Sequence, residues 1–181
     1  MTEELIQFIR TTFGIENNFI PLHEPHFVGN EKKYVLDAID STFVSSVGKY
    51  VDKFEEMMCE ITGAKHAIAI VNGTNALHLA LILAGVKEGD EVLSQPLTFI
   101  ATANAISYCK ATSHFVDVDK ETLGFSPSLL KKYLQEIAEM RNGECYNKTT
   151  NKKIAACVPM HTFGLPLYID ELVKVCNEYN I

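Results

Sequence analysis

The stretch His66-Ala67-Ile68-Ala69-Ile70-Val71-Asn72-Gly73-Thr74-Asn75-Ala76-Leu77-His78-Leu79-Ala80-Leu81 decides the fold. Its first six residues form a short apolar run of the kind that makes a strand buried on both faces. Asn72-Gly73-Thr74 interrupts the run, and apolar residues then resume over a helical length as far as Gly85. A strand that passes through a glycine turn straight into a helix opens a βαβ unit. The alternation recurs downstream: strand 91–94, helix 98–109, strand 114–118, helix 126–141, strand 154–158 and helix 169–179. This order predicts right-handed crossovers and a mostly parallel sheet with helices on both faces, the α/β class.

Upstream the texture is different. Leu5, Ile6, Phe8 and Ile9 suit a short N-terminal helix that Gly14 ends, and an irregular stretch with Pro21 and Pro25 follows. Asn30 is placed to cap a helix carrying Tyr34, Val35, Ala38 and Ile39 on one face. After a polar loop at 41–49, residues 50–63 read as a helix with Val51, Phe54, Met57, Met58 and Ile61 as its buried stripe and Gly63 at its end. Residues 1–29 are thus expected to be a helix and arm, and 30–181 the α/β domain. The polar stretch 142–153 exceeds the usual αβ connection of about two to six residues and reads as an exposed insertion.

Of the 181 residues, 16 are Lys or Arg and 23 Asp or Glu, a formal charge of −7. There is no basic stripe to suit nucleic acid. With 47% hydrophobic and 22% charged residues, the composition is that of a folded globular chain. No stretch reaches the roughly 18 apolar residues of a membrane span. The acidic start Met1-Thr2-Glu3-Glu4 does not look like a signal peptide, so a cytoplasmic location is expected. Five scattered cysteines without a Cys-x-x-Cys pair suit reduced thiols better than disulfides or a metal site.

In parallel α/β sheets ligands bind outside the carboxyl ends of the strands, which directs attention to three strand-to-helix turns. At 71–77, Gly73 and the residues after it expose helix-opening N–H groups where the macrodipole favours an anion, and Thr74 adds a hydroxyl. The Gly-x-Gly-x-x-Gly and Gly-x-x-x-x-Gly-Lys-Ser/Thr phosphate motifs are both absent. At 94–104, Phe99 falls where a ring can lie over a ligand held by a neighbouring turn; a core phenylalanine is the alternative. At 158–166, His161 stands at a strand end as a hydrogen-bond donor, an acid/base, or simply a satisfied polar residue.

Taken together in this order, the three turns resemble the DegT/StrS family of pyridoxal-phosphate-dependent sugar-nucleotide aminotransferases. The segment 67–81 looks like that family's phosphate-cup turn. Gly89-Asp90-Glu91-Val92 with Thr98-Phe99-Ile100-Ala101-Thr102-Ala103-Asn104 looks like its cofactor-stacking segment, and His161-Thr162-Phe163-Gly164 continues the pattern. Ser45-Ser46-Val47-Gly48-Lys49-Tyr50-Val51 resembles the entry loop of members acting on legionaminic-type and related bacterial sugars.

The resemblance implies a pyridoxal 5′-phosphate site in which Thr74, with the backbone at Gly73 and Asn75, holds the phosphate and Phe99 stacks on the ring. Ser46 and His161 would face the substrate. The implied reaction moves an amino group from a donor, glutamate in this family, to a nucleotide-linked keto sugar of surface polysaccharide or nonulosonic sugar biosynthesis. The implied assembly is a homodimer, with no metal. The family's Schiff-base lysine and its pyridinium-binding carboxylate lie further along the chain than Ile181, and none of the lysines present stands in a matching context. Two readings follow: the N-terminal portion of an aminotransferase large domain, or a non-catalytic remnant that binds phosphate or oligomerises. A nicotinamide-dependent enzyme is disfavoured by the missing glycine fingerprint.

Overall fold

The computed structural model describes residues 2–21 and 24–181. The chain packs as two compact units, one up to Ala69 and one spanning Ile70–Ile181, a division close to the change of texture at His66.

The first unit is helical. Helix α1 (Thr2–Phe13) carries Glu3 and Glu4 in its first turn, and Gly14 closes it at φ +65. Helix α2 (Glu31–Asp40) begins after Asn30, but the Asn30 side chain makes no capping bond, contrary to expectation: its backbone is not extended as a cap requires. Helix α3 (Lys49–Thr62) ends at Gly63 in the left-handed conformation, with the Gly63 N–H bonded to Cys59 O. An ion pair between Lys49 and Asp37 and a 2.7 Å bond from the Tyr50 hydroxyl to Asp37 join α2 to α3. The expected buried stripe of α3 is corrected here. No residue of α3 is buried: among the described residues Phe54, Met57 and Ile61 stay exposed.

The second unit is a five-stranded sheet between helices. Its strands are β1 (Glu91–Ser94), β2 (Thr112–Phe115), β3 (Ala138–Arg141), β4 (Glu144–Asn147) and β5 (Lys152–Val158), in the order β2-β1-β5-β4-β3. β1 runs parallel to both neighbours, while β3, β4 and β5 form an antiparallel meander. Helices α4 (Gly73–Leu83) and α5 (Ile100–Tyr108) pack on the Val92 face through Leu81, Ala105 and Ile106. Helices α6 (Pro127–Ile137) and α7 (Ile169–Glu178) pack on the Leu93 face through Leu130, Leu134, Leu172 and Val175. β1 is buried along its whole length, as a strand covered on both sides must be.

Three expectations are overturned. Residues 66–71 are not a strand, with Val71 83% exposed; among the described residues no neighbouring backbone completes a ladder with them. Helix α6 stops at Ile137 rather than 141. The stretch 142–153 is not an exposed insertion but the turns and strands of the meander. The cause is Asn142-Gly143, at φ +52 and +83, a two-residue hairpin turn whose twist matches paired strands. Glu91, 2% exposed, fastens the meander to β1 by accepting bonds from Asn147 Nδ2 (2.9 Å) and Thr150 Oγ1 (2.7 Å), and it also meets His114 Nδ1 (3.0 Å).

Candidate functional site

The candidate residues lie at the start of α4, at the start of α5 and in the turn after β5. At α4, Asn72 is an extended N-cap whose Oδ1 accepts the Asn75 N–H at 2.9 Å, and its carbonyl takes the Ala76 N–H at 3.1 Å. Asn75's backbone donor is therefore already engaged, a correction to its expected share in holding phosphate. The N–H groups of Gly73 and Thr74, at the first two helical positions, have no acceptor within the helix. Thr74 is half-buried, and its hydroxyl makes no hydrogen bond among the described residues. A Cβ at Gly73 would meet nothing within 4 Å, so no packing demand explains the glycine; close approach of an anion to its amide gives it a use.

Phe99 stands at the N-cap of α5, one residue before the helix, in extended backbone. Phe99 is 71% exposed, which removes the core alternative. The Thr98 hydroxyl lies 2.9 Å from that of Thr102 and donates to Met160 Sδ at 3.3 Å. Ser94 Oγ donates to Val158 O at 2.9 Å. These bonds tie the turn carrying Phe99 to the turn carrying His161. α4 joins them through its packing on α5.

His161 is exposed and precedes a single 3₁₀ turn (Thr162–Gly164). Its Nδ1 is placed to accept the Leu167 N–H at 3.1 Å, which assigns the ring proton to Nε2 as an outward donor. Thr162 is buried, whereas Phe163 adopts φ +54 and turns outward. Asp119 accepts N–H bonds from Thr122 (3.0 Å) and Glu121 (2.9 Å), which hold its carboxyl below the usual carboxylate range.

No Lys, Arg, Asp or Glu occurs at 72–75, 94–99 or 158–166. An anion here would be held by backbone dipoles and neutral donors, while an amine for covalent chemistry must come from elsewhere. The donor set suits a phosphate attached to a flat ring. Ser46 lies in the exposed loop between α2 and α3, in the other unit. The sequence reading passed over Gln95 and Thr162, both buried at these turns. The available signal was a polar side chain directly after an apolar strand, on which nothing in the local pattern confers a role.

Residues 25–181 match the model of the DegT/DnrJ/EryC1/StrS aminotransferase family. The GDP-perosamine synthase of Escherichia coli O157:H7 is 40% identical over 164 residues, which span 90% of this chain and 40% of that protein. EpsN of Bacillus subtilis (strain 168), whose name places it among pyridoxal phosphate-dependent aminotransferases, is 40% identical over 162 residues, 90% of this chain and 39% of its own length. Among solved structures, an aminotransferase from Psychrobacter cryohalolentis superposes with a TM-score of 0.73 at 28% identity, covering 91% of this chain and 37% of that one. The chain thus spans about 40% of the length of the curated relatives it matches.

Proposed function

The chain belongs to the DegT/DnrJ/EryC1/StrS aminotransferase family, and we propose that it is the cofactor-anchoring part of an enzyme that moves an amino group from glutamate to a nucleotide-linked keto sugar. The observation that carries the reading is the exposed Phe99 ring on a turn bonded to that of His161, beside a helix whose first two N–H groups and Thr74 hydroxyl are free. The family's cofactor, pyridoxal 5′-phosphate, supplies when bound the electron sink that transamination needs.

In this reading the amides of Gly73 and Thr74 and the Thr74 hydroxyl receive the phosphate. The Asn75 side chain stands at the edge of that cup, and Phe99 covers the pyridine ring and excludes water from one face. His161 offers Nε2–H to a substrate oxygen. Ser46 contributes to sugar recognition. The Schiff-base lysine and the carboxylate facing the ring nitrogen come from polypeptide beyond the segment present here. The assembly is a homodimer in the cytoplasm; among the described residues no helix is long and apolar enough to cross a membrane. The names of the perosamine synthases support a sugar as acceptor, and that of the spore coat polysaccharide biosynthesis protein SpsC of Bacillus subtilis (strain 168), 32% identical over 165 residues, supports polysaccharide biosynthesis as the setting.

The test is a fluorescence titration with pyridoxamine 5′-phosphate, which needs no lysine and is not masked by tryptophan, since the chain has none. Thr74→Ala removes one charge-assisted hydrogen bond, about 1.5–3 kcal/mol, and should weaken binding by roughly ten- to a hundredfold. Equal affinity of the two proteins would contradict the assignment of the phosphate to α4.

A further inference from the structure

Three segments converge at the carboxyl ends of β1 and β5: 95–99, 119–124 and 159–167. At their junction lies Gln95, wholly buried. Its Nε2 donates to Leu97 O (2.8 Å) and Thr162 Oγ1 (2.9 Å), with a longer contact to Leu123 O (3.3 Å), and its Oε1 accepts the Met160 N–H at 3.1 Å. Thr162 Oγ1 in turn donates to Leu123 O at 2.9 Å, closing a ring of bonds across all three segments. The amide has one workable orientation. Reversed, it would set oxygen against two carbonyls and NH₂ against an N–H.

Packing agrees with the bonding. A Cβ at Gly124 would fall 2.6 Å from Leu167 Cβ and 3.4 Å from Met160 O, so the middle segment is pressed against the third at a distance only glycine permits. Leu123 (φ +56) and Phe163 (φ +54) both occupy the left-handed region that residues with a Cβ avoid. Such conformations persist only where surrounding structure fixes them; Leu123 itself meets Gln95, and Phe163 adjoins its partner Thr162.

The residues held by Gln95 bracket the exposed candidates. Leu97 precedes Phe99 by two positions, while Met160 and Thr162 flank His161. We infer that Gln95 is a positioning residue, whose side-chain amide locks the Phe99 and His161 turns into one wall and thereby sets the affinity for a phosphate-bearing pyridine. This rests on the reading of the site given above. An apolar side chain of the same size would fill the space but leave the Met160 N–H without its partner, releasing the His161 turn.

The experiment compares the full chain with Gln95→Met, with Thr162→Val, which cuts the same ring while keeping its volume, and with Val175→Ala, a core control on α7. Amide NMR of Gln95→Met and of Thr162→Val should show shifts at 97–99 and 160–164 together, with 144–147 unmoved. Shifts confined to the neighbours of each substitution would overturn the proposal, and if Gln95→Met does not fold, Thr162→Val decides alone. Pyridoxamine 5′-phosphate should bind Gln95→Met at least tenfold more weakly than wild type and Val175→Ala unchanged. Unchanged affinity in both ring variants, or equal weakening in Val175→Ala, would also overturn it. A wild-type chain that fails to bind sinks the cofactor reading and the affinity claim with it, whereas the shared shifts still decide whether Gln95 ties the turns.

Discussion

Glu91→Ala is expected to remove a large share of the stability of the second unit. The carboxylate is 2% exposed and meets His114 Nδ1 at 3.0 Å, Asn147 Nδ2 at 2.9 Å and Thr150 Oγ1 at 2.7 Å, so β2, β4 and the turn before β5 all converge on it. A hydrogen bond to a charged group contributes about 1.5–3 kcal/mol, but three bonds to one carboxylate are not additive. Leaving the buried Asn147 amide without its acceptor costs about 1–3 kcal/mol by itself, so with the bonds to Thr150 and His114 also lost the total should be about 3 kcal/mol or more. With a urea m-value of about 1–3 kcal/mol/M, the midpoint should drop by roughly 2 M. Amide exchange should rise first in β3 and β4, the strands that Glu91 tethers. A Glu91/Asn147 double-mutant cycle should return a coupling of about 1 kcal/mol or more. A midpoint shift under about 0.5 M, or unchanged protection of β4, would refute the view that this carboxylate anchors the meander.

Two further predictions concern the backbone and pH. Gly143→Val should cost about 1–2 kcal/mol in denaturant unfolding, wholly through the left-handed backbone at φ +83, since a Cβ there meets nothing within 4 Å; a neutral result would mean that the turn relaxes. Asp37 is held below its ordinary pKa of 3.8 by its bonds to Lys49 and then Tyr50. Its contribution to stability is therefore present above about pH 4 and lost as pH falls through the lower folded value. Asp37→Asn should flatten the acid limb of a thermal-midpoint profile below pH 4, and an unaltered limb would exclude the group.

Much of this fold is legible in the sequence where local pattern and tertiary demand coincide. Val92 and Leu93, adjacent apolar residues, put one apolar side chain on each face of a strand, and β1 is buried on both. Gly63 and Gly85 end their helices at positive φ. The failures occur where a partner decides. Residues 66–71 have the composition of a strand, but composition supplies no ladder, and among the described residues none forms there. The polar stretch after Arg141 was read by its hydrophilicity, although Asn142-Gly143 is a specific hairpin signal, and β4 is held through Glu91, 56 residues earlier. Thr74 and Phe99 stand out in the sequence as candidates because strand-to-helix turns are where such folds bind ligands. Gln95 does not, because its significance lies in a bond to Thr162, 67 residues away.

The central claim is that the start of α4 and the Phe99 ring form one binding surface. It is tested most directly by NMR on the chain with pyridoxamine 5′-phosphate bound. The account predicts intermolecular NOEs between the pyridine ring proton and the Phe99 ring, together with the largest amide shifts at Gly73 and Thr74. Shifts at those amides without contacts to Phe99, or contacts to Phe99 with the phosphate held elsewhere, would contradict it.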